Sequence, residues 1–287
     1  MNISSDFACP ELRLSTGFAD VHFHFGEISS LPEGSARGGI VFEVSPGKYL
    51  LNISGVARYL VSNGAEIVVD PAPAADVDAV RLFLLGSGMG ALLHQRRVLP
   101  LHASAIVTPR GAVVLAGPSG SGKSTLAAAL VRRGFGVLAD DVCVVDTSEA
   151  PAVMPGTTSL MLWSDALREL GIENSGLYPV RAGLQKYRLP GRNDLSPRPV
   201  RLHAVYILNV SHSDTVALAP IAGFAKFEAL TANTFRNTFI QPMNLAGSHF
   251  RQVGRVADFT RMRSVIRPRD GFRIDELADM LIEDFEL

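Results

Sequence analysis

The chain has 287 residues, 47% of them apolar and 19% charged, where an average soluble domain is about 25% charged. That composition excludes a disordered chain. With 27 basic and 28 acidic residues the net charge is −1, so no basic field recruits nucleic acid or an anionic membrane.

The N-terminus MNISSDFACPEL has neither the basic n-region nor the apolar h-region of an export signal. A mean hydropathy of +0.21 raises the question of a membrane span. The longest apolar stretch, 79–93, contains Arg81 and three glycines and falls short of the roughly 20 residues a span needs. The expectation is a cytoplasmic chain with no membrane partner. Cys9 and Cys143 are too few and too far apart for a disulfide framework or a zinc knuckle.

Residues 1–70 read as short strands. The pattern alternates over 20–25 and 48–53 and is β-branched over 39–44, with turns at Glu33-Gly34, Pro46-Gly47 and Asn63-Gly64. After a Pro/Ala connector, Asp76 is placed to cap a helix that runs to His94. The texture then changes. Strands are predicted over 103–107 and 112–116 about a tight turn at 108–111. A glycine-rich loop follows, then a helix over 124–133 stopped by Gly134. Two further strands, 135–139 and 142–145, flank Asp140-Asp141. Later come a short helix over 164–170, a Gly/Tyr/Arg/Pro loop over 171–199, and a strand over 204–210. The terminal helix carries Ile274, Leu277, Leu281 and Phe285 on one face. This divides the chain into a β-rich segment, 1–95, with a role in acceptor recognition, and an α/β domain, 96–287.

Gly117-Pro-Ser119-Gly120-Ser121-Gly122-Lys123-Ser124-Thr125 fits G-x-x-x-x-G-K-[ST], entered by an apolar strand and left by an alanine-rich helix. Its glycines let successive N–H groups converge on a phosphate, aided by the positive end of the helix dipole. Lys123 would reach the β/γ-phosphates and Ser124 would ligate Mg²⁺. A phosphate loop alone names no reaction. The LSGGQ signature of transporter ATPases and the N-K-x-D of GTPases are both absent from the sequence.

Asp140 lies 17 residues after Lys123, with one helix between them. If the two strands are parallel neighbours joined by a right-handed crossover, Asp140 ends beside the loop, at the carboxyl edge where ligands bind. One aspartate of the pair can hold Mg²⁺ and the other can accept a hydroxyl proton. Alternation along a strand would turn Asp140 and Asp141 to different jobs. A hairpin about 108–111 would set His102 opposite Gly117, at the phosphate.

The set LHASAI, GPSGSGKS and VLADDV resembles the HPr kinase/phosphorylase family, whose catalytic domain is related to ATP-type phosphoenolpyruvate carboxykinase. The resemblance is strong over 101–146. It implies a P-loop serine kinase using ATP and Mg²⁺, with Asp140 as the base and Asp141 serving the metal together with Ser124. It also implies a homo-oligomer, since family members often form hexamers. The family's acid after GKS is here Thr125, and TTSLMLWSDAL stands where the signature of the dephosphorylating reaction lies in the family. The chain is equally similar to stand-alone kinases that phosphorylate the C-terminal serine of ribosomally made precursor peptides, including lasso peptides.

Weaker features read as structural. His22 and His24 lie on one face of a strand with no third ligand nearby. Lys186 and Arg188 read as surface charges in a loop, with phosphoryl contact the alternative. Arg261, Arg263, Arg267 and Arg269 read as a solvated face or salt-bridge partners, and Cys143 as an inert buried thiol. The expectation is a Mg-ATP-dependent serine kinase acting on a small protein or peptide: Lys123 and the loop amides bind phosphates, Asp140 is the base and His102 assists. The rivals are a small-metabolite kinase and a non-catalytic ATP-binding regulator.

Overall fold

A computed structural model of the chain describes residues 1–12, 14, 16–29, 36–38, 42–180, 183–190, 198–212, 214–269 and 271–286. The first strands are β1 (Ile3–Ser5), β2 (Val21–Phe25), β3 (Ala36–Gly38), β4 (Phe42–Ser45), β5 (Lys48–Ile53), β6 (Ala57–Ser62) and β7 (Glu66–Pro71). Helices α1 (Val77–Phe83) and α2 (Met89–Gln95) follow, joined by a π-helical turn over Leu84–Gly88. Next come β8 (Leu99–Thr108), β9 (Gly111–Ala116), α3 (Lys123–Arg132), β10 (Gly136–Ala139), β11 (Val142–Asp146), β12 (Ala152–Val153), β13 (Leu160–Trp163) and α4 (Ser164–Glu169). The chain ends with β14 (Tyr178–Pro179), β15 (Lys186–Leu189), β16 (Val200–Ser211), β17 (Ala217–Pro220), α5 (Phe224–Ala232), α6 (Ala246–Phe259), β18 (Arg261–Pro268) and α7 (Ile274–Glu286). The fold is mixed α/β. The strand expected over 39–44 and the Glu33-Gly34 turn fall partly or wholly outside the described residues.

Two compact units result, Met1–Leu99 with Arg236–Arg251, and Pro100–Phe235 with Gln252–Leu287. In the first, the described strands form a seven-stranded sheet in the order β1-β2-β7-β6-β5-β4-β3. Asn63 and Gly64 both take positive φ (54° and 66°) in the β6–β7 turn, the left-handed pair that a tight hairpin turn requires. Asp76 caps α1, its Oδ1 accepting from Asp78 N at 3.1 Å. The segment 236–251 joins this unit through Phe239, whose ring lies 4.6 Å from Tyr49 and 5.5 Å from Phe42. His22 is exposed and His24 lies 3.7 Å from Glu66. No group of three or more His, Cys, Asp or Glu side chains suited to a metal occurs among the described residues. By length and composition alone the helical run Val77–Gln95 could cross a membrane; 56% of its apolar window is buried inside this fold.

In the second unit β8 pairs antiparallel with both β9 and β10, β9 runs parallel to β16, β16 parallel to β18, and β17 antiparallel to β18. The parallel strands thus point their carboxyl ends toward one edge. Helix α3 packs Leu126, Ala127, Ala128, Ala129 and Leu130 into the core, each 1% exposed or less. Alanine at three successive positions lets the helix backbone lie close to the sheet. The two leucines contribute about 1.5–3 kcal/mol each by burial. Ile274, Leu277, Leu281 and Phe285 of α7 enter the same core, as their spacing predicts.

In the first unit burial and the neighbouring His94 imidazole push the His249 pKa down from the usual 6.5 to about 4. Between those values the unfolded chain binds a proton that the folded chain refuses, so stability falls as pH drops through this window. The expected loss by pH 4 is on the order of 3 kcal/mol. Urea denaturation followed from pH 7 to pH 4 should show this slope, and His249→Gln should flatten it.

Candidate active site

The β8–β9 hairpin closes about residues 108–111 in the expected register: Ala103 faces Ala116 and Thr108 faces Gly111. His102 therefore sits at the mouth of the loop that leaves β9. At Gly117, with φ +148°, a Cβ would lie 2.6 Å from Leu208 O on β16 and 2.9 Å from Ser121 Oγ. Only glycine lets the chain turn off the sheet at that point. The tip, Pro118 to Gly120, is exposed, and Gly122 at φ +96° leads into α3. The helix begins at Lys123, one residue before the expected start.

Lys123 is only 7% exposed, and its ammonium donates to Gly117 O at 2.9 Å and Pro118 O at 3.0 Å. Burial lowers its pKa, with Lys186 adding to the effect and Asp141 and Asp140 opposing it. Ser124 Oγ donates to Asp140, 3.1 Å from Oδ1 and 3.3 Å from Oδ2.

The route to Asp140 differs from the expected one. β10 is not the neighbour of β9, because β8 lies between them. A bulge between Val137 and Ala139 shifts the β8–β10 register by one residue. That shift sets Asp140 against Ser104, whose Oγ donates to Oδ1 at 2.6 Å. Met161 N donates to Oδ2 at 3.0 Å. Asp140 is 2% exposed. Burial raises its pKa and Asp141 raises it further, against the hydrogen bonds from Ser104, Met161 N and Ser124.

The two aspartates do point differently, though not through strand alternation. They lie between β10 and β11, where Val142 N donates to Asp140 O at 2.8 Å around Asp141 at φ +67°. This is the strained form of the γ-turn, which a non-glycine residue adopts only when its surroundings hold it there. It turns the Asp141 carboxylate to His102, with Oδ1 3.5 Å from Nδ1. His102 Nδ1 donates to Asp141 O at 3.2 Å. A carbonyl cannot donate, so this contact places the proton on Nδ1 and leaves Nε2 as the basic nitrogen. Burial lowers the His102 pKa, chiefly with Lys123, while Asp141 opposes.

These groups line one cleft of about 620 Å³, with Ser119, Gly120, Gly122, Thr125, Trp163 and Arg168 also on its walls. Lys186 and Arg188, expected in a loop, belong to strand β15, paired with β13 so that Lys186 faces Trp163. Lys186 enters the cleft, its ammonium 5.7 Å from the Trp163 ring centroid. The basic run divides: Arg261 and Arg263 bond Asp284 at 3.2 Å and 2.8 Å, whereas Arg267 and Arg269 line the cleft. Ser104 and Arg267 were missed from sequence. Ser104 carries a signal in being two residues from His102, on the same face of an apolar strand. Arg267 carries only its place at the end of that run. Cys143 is buried, its thiol pushed up to about 12.

No family model matches the chain. Two curated proteins do, both described as HPr kinase/phosphorylase. The one from Azoarcus sp. (strain BH72) is 34% identical over 141 residues, 45% of this chain and 44% of its own length. The one from Aromatoleum aromaticum is 32% identical over 184 residues, 60% of this chain and 56% of its own. The chain is thus similar in sequence to HPr kinase/phosphorylases. It spans about half the length of the curated relatives it matches. A solved structure, the Hpr(Ser) kinase/phosphatase from Coxiella burnetii, aligns with 65% of this chain and 90% of its own at 12% identity and a TM-score of 0.31. The loop lysine and serine, the aspartate pair and the histidine share one cleft.

The raised pKa of Asp140 has a measurable cost. The unfolded chain loses this proton near 3.8 and the folded chain at higher pH, so stability falls as pH rises through the interval. Asn in its place could accept from Met161 N and donate to the Ser104 and Ser124 hydroxyls, keeping the contacts without the buried charge. Asp140→Asn is therefore expected to raise Tm at pH 7, by about 2–4 °C for each kcal/mol recovered. Calorimetry on both proteins checks this, and an unchanged or lower Tm would contradict it.

Proposed function

We propose that the chain is a Mg-ATP-dependent serine kinase whose acceptor is a small protein or precursor peptide, acting in the cytoplasm. The observation that carries the reading is the hydrogen-bonded line Lys123 loop, Ser124, Asp140, Ser104, with Asp141 and His102 beside it in one open cleft. Phosphoryl transfer is mostly positioning and charge neutralisation, and this cleft supplies donors, cations and carboxylates for both. The similarity to HPr kinase/phosphorylases supports a protein acceptor, and the 1–95 segment is proposed to recognise it.

The loop amides between Ser119 and Thr125, other than the Ser121 N–H that Pro118 O holds, and the Lys123 ammonium bind the phosphates. Ser124 and an aspartate are hard oxygen donors of the kind Mg²⁺ prefers, and Mg²⁺ bound with the nucleotide would neutralise phosphate charge. Asp140 accepts the serine hydroxyl proton, since a carboxylate whose pKa is raised toward working pH is the better base. Asp141, open to the cleft, would then hold Mg²⁺ together with Ser124, and His102 orients Asp141. One observation favours the reverse division: Asp140 already shares the Ser124 hydroxyl, as a metal-holding acid does in P-loop sites. Asp141, which leads into strand β11 rather than a helix, also departs from the small-metabolite kinases.

Labelled ATP with Mg²⁺ and candidate acceptors should give a stable phosphoserine. Label in a small-molecule fraction would favour a metabolite kinase, and binding without transfer a regulator. Asp140→Asn should keep ATP binding and lose transfer by about a hundredfold or more. In the favoured division its Mg²⁺ dependence is unchanged while Asp141→Asn needs more Mg²⁺; in the reverse division those two results exchange.

A further inference from the structure

We propose that Arg267 is a positioning residue that holds the phosphate loop in its anion-binding form by fixing the oxygen side of two loop peptides. This rests on the nucleotide-binding reading of the same cleft. Arg267 lies at the carboxyl end of β18, in register with Val210 of β16, and β16 separates it from β9. Its guanidinium reaches back to the loop: Nε donates to Ser121 O at 2.8 Å and Nη2 to Gly120 O at 3.4 Å. Nη1 donates to Pro268 O at 3.0 Å, which fixes the plane of the fork.

A trans peptide points its C=O and N–H to opposite sides. With Ser121 O turned to Arg267, the N–H of Gly122 is turned away from the guanidinium. With Gly120 O likewise held, the N–H of Ser121 donates to Pro118 O at 3.1 Å. Gly120 and Gly122 sit at φ +79° and +96°, and with no Cβ neither resists rotation of these planes. A flipped 121–122 peptide would present its oxygen, not its N–H, to an incoming phosphate. Lys123 also binds loop carbonyls, but an incoming phosphate competes with Gly117 O and Pro118 O for the same ammonium. Arg267 has no such conflict, because its two acceptors lie on the side of the peptides away from the N–H groups. The task requires neighbouring donors set in a plane, which a lysine ammonium does not supply.

The test measures binding of ATP, ADP and adenosine to the full chain, for wild type, Arg267→Lys and Arg267→Gln, with thermal unfolding alongside. Amide exchange at Gly122 and the KM-against-kcat split for ATP complete it. Both variants are expected to bind ATP and ADP about tenfold or more weakly, as loss of charge-assisted hydrogen bonds predicts. Adenosine affinity should hold, KM should rise with kcat little changed, and Gly122 should exchange faster. Arg267→Lys behaving as wild type would overturn the proposal, since charge alone would then suffice. Equal binding by all three proteins, or parallel loss of adenosine, would also overturn it. If Arg267→Gln fails to fold, Arg267→Lys carries the same comparison. A wild type that binds no nucleotide would instead remove the reading on which the proposal rests.

Discussion

A carboxylate taken out of water needs its lone pairs occupied, and in this fold that demand is met at Asp140 by three separate elements. Ser104 comes from β8, Ser124 from α3 and Met161 N from β13. Each must arrive within hydrogen-bonding distance, so the hairpin register, the start of the helix and the placing of β13 are constrained together. The bulge in β10 belongs to the same constraint, because without the one-residue shift Asp140 would not meet Ser104. The arrangement does not stabilise the fold through charge; burial raises the Asp140 pKa, and the cost is offset by the apolar packing of α3 and α7. Removing one partner would leave a buried charge short of a donor, which costs more than the hydrogen bond itself contributes.

Around this point the cleft concentrates charge that the chain elsewhere uses sparingly. Besides burial, Lys123 and Lys186 lower the His102 pKa and Lys186 lowers that of Lys123, while Asp141 opposes the shift at both and Asp140 opposes it at Lys123. In a partly desolvated cleft each of these interactions is stronger than in water. The loop is held on both sides by cations, Lys123 on Gly117 and Pro118 and Arg267 on Gly120 and Ser121. Its glycines leave the backbone free to turn, and these contacts restrain that freedom.

The strain at Asp141 fits this picture. A non-glycine residue at φ +67° in a three-residue turn is kept there by Thr157, which brackets Asp140, and by His102, which binds the Asp141 carbonyl. The turn is what separates the two carboxylates, one held by Ser104, Ser124 and Met161 N and the other turned to His102, both on the cleft. A regular strand would have separated them as well, but would have carried Asp141 onto the opposite face of the sheet.

Local pattern was enough to mark the loop, the helix after it, the hairpin before it and the aspartate pair, because each is written in adjacent residues: glycine spacing, alternation, a capping or stop residue. It was also enough for α7, whose buried face repeats at helical spacing. It did not reveal that β8 separates β9 from β10, nor the bulge, since strand order and register are settled by which faces pack and not by any single segment. Lys186 looked like a loop residue because its partner, Trp163, lies 23 residues earlier and nothing in the Gly- and Pro-containing segment between them marks the pairing. Arg267 looked like one of four similar arginines. Asp284 of α7 pairs with two of that run, both half-buried, and only the sheet's parallel order carries Arg267 to the glycine-rich loop after β9. The sequence alone thus marked the glycine-rich loop, the aspartate pair and the histidine; tertiary structure decided which cations and hydroxyls join them, because contacts such as Ser104 to Asp140, 36 residues apart, and Arg267 to Ser121, 146 apart, are made by packing.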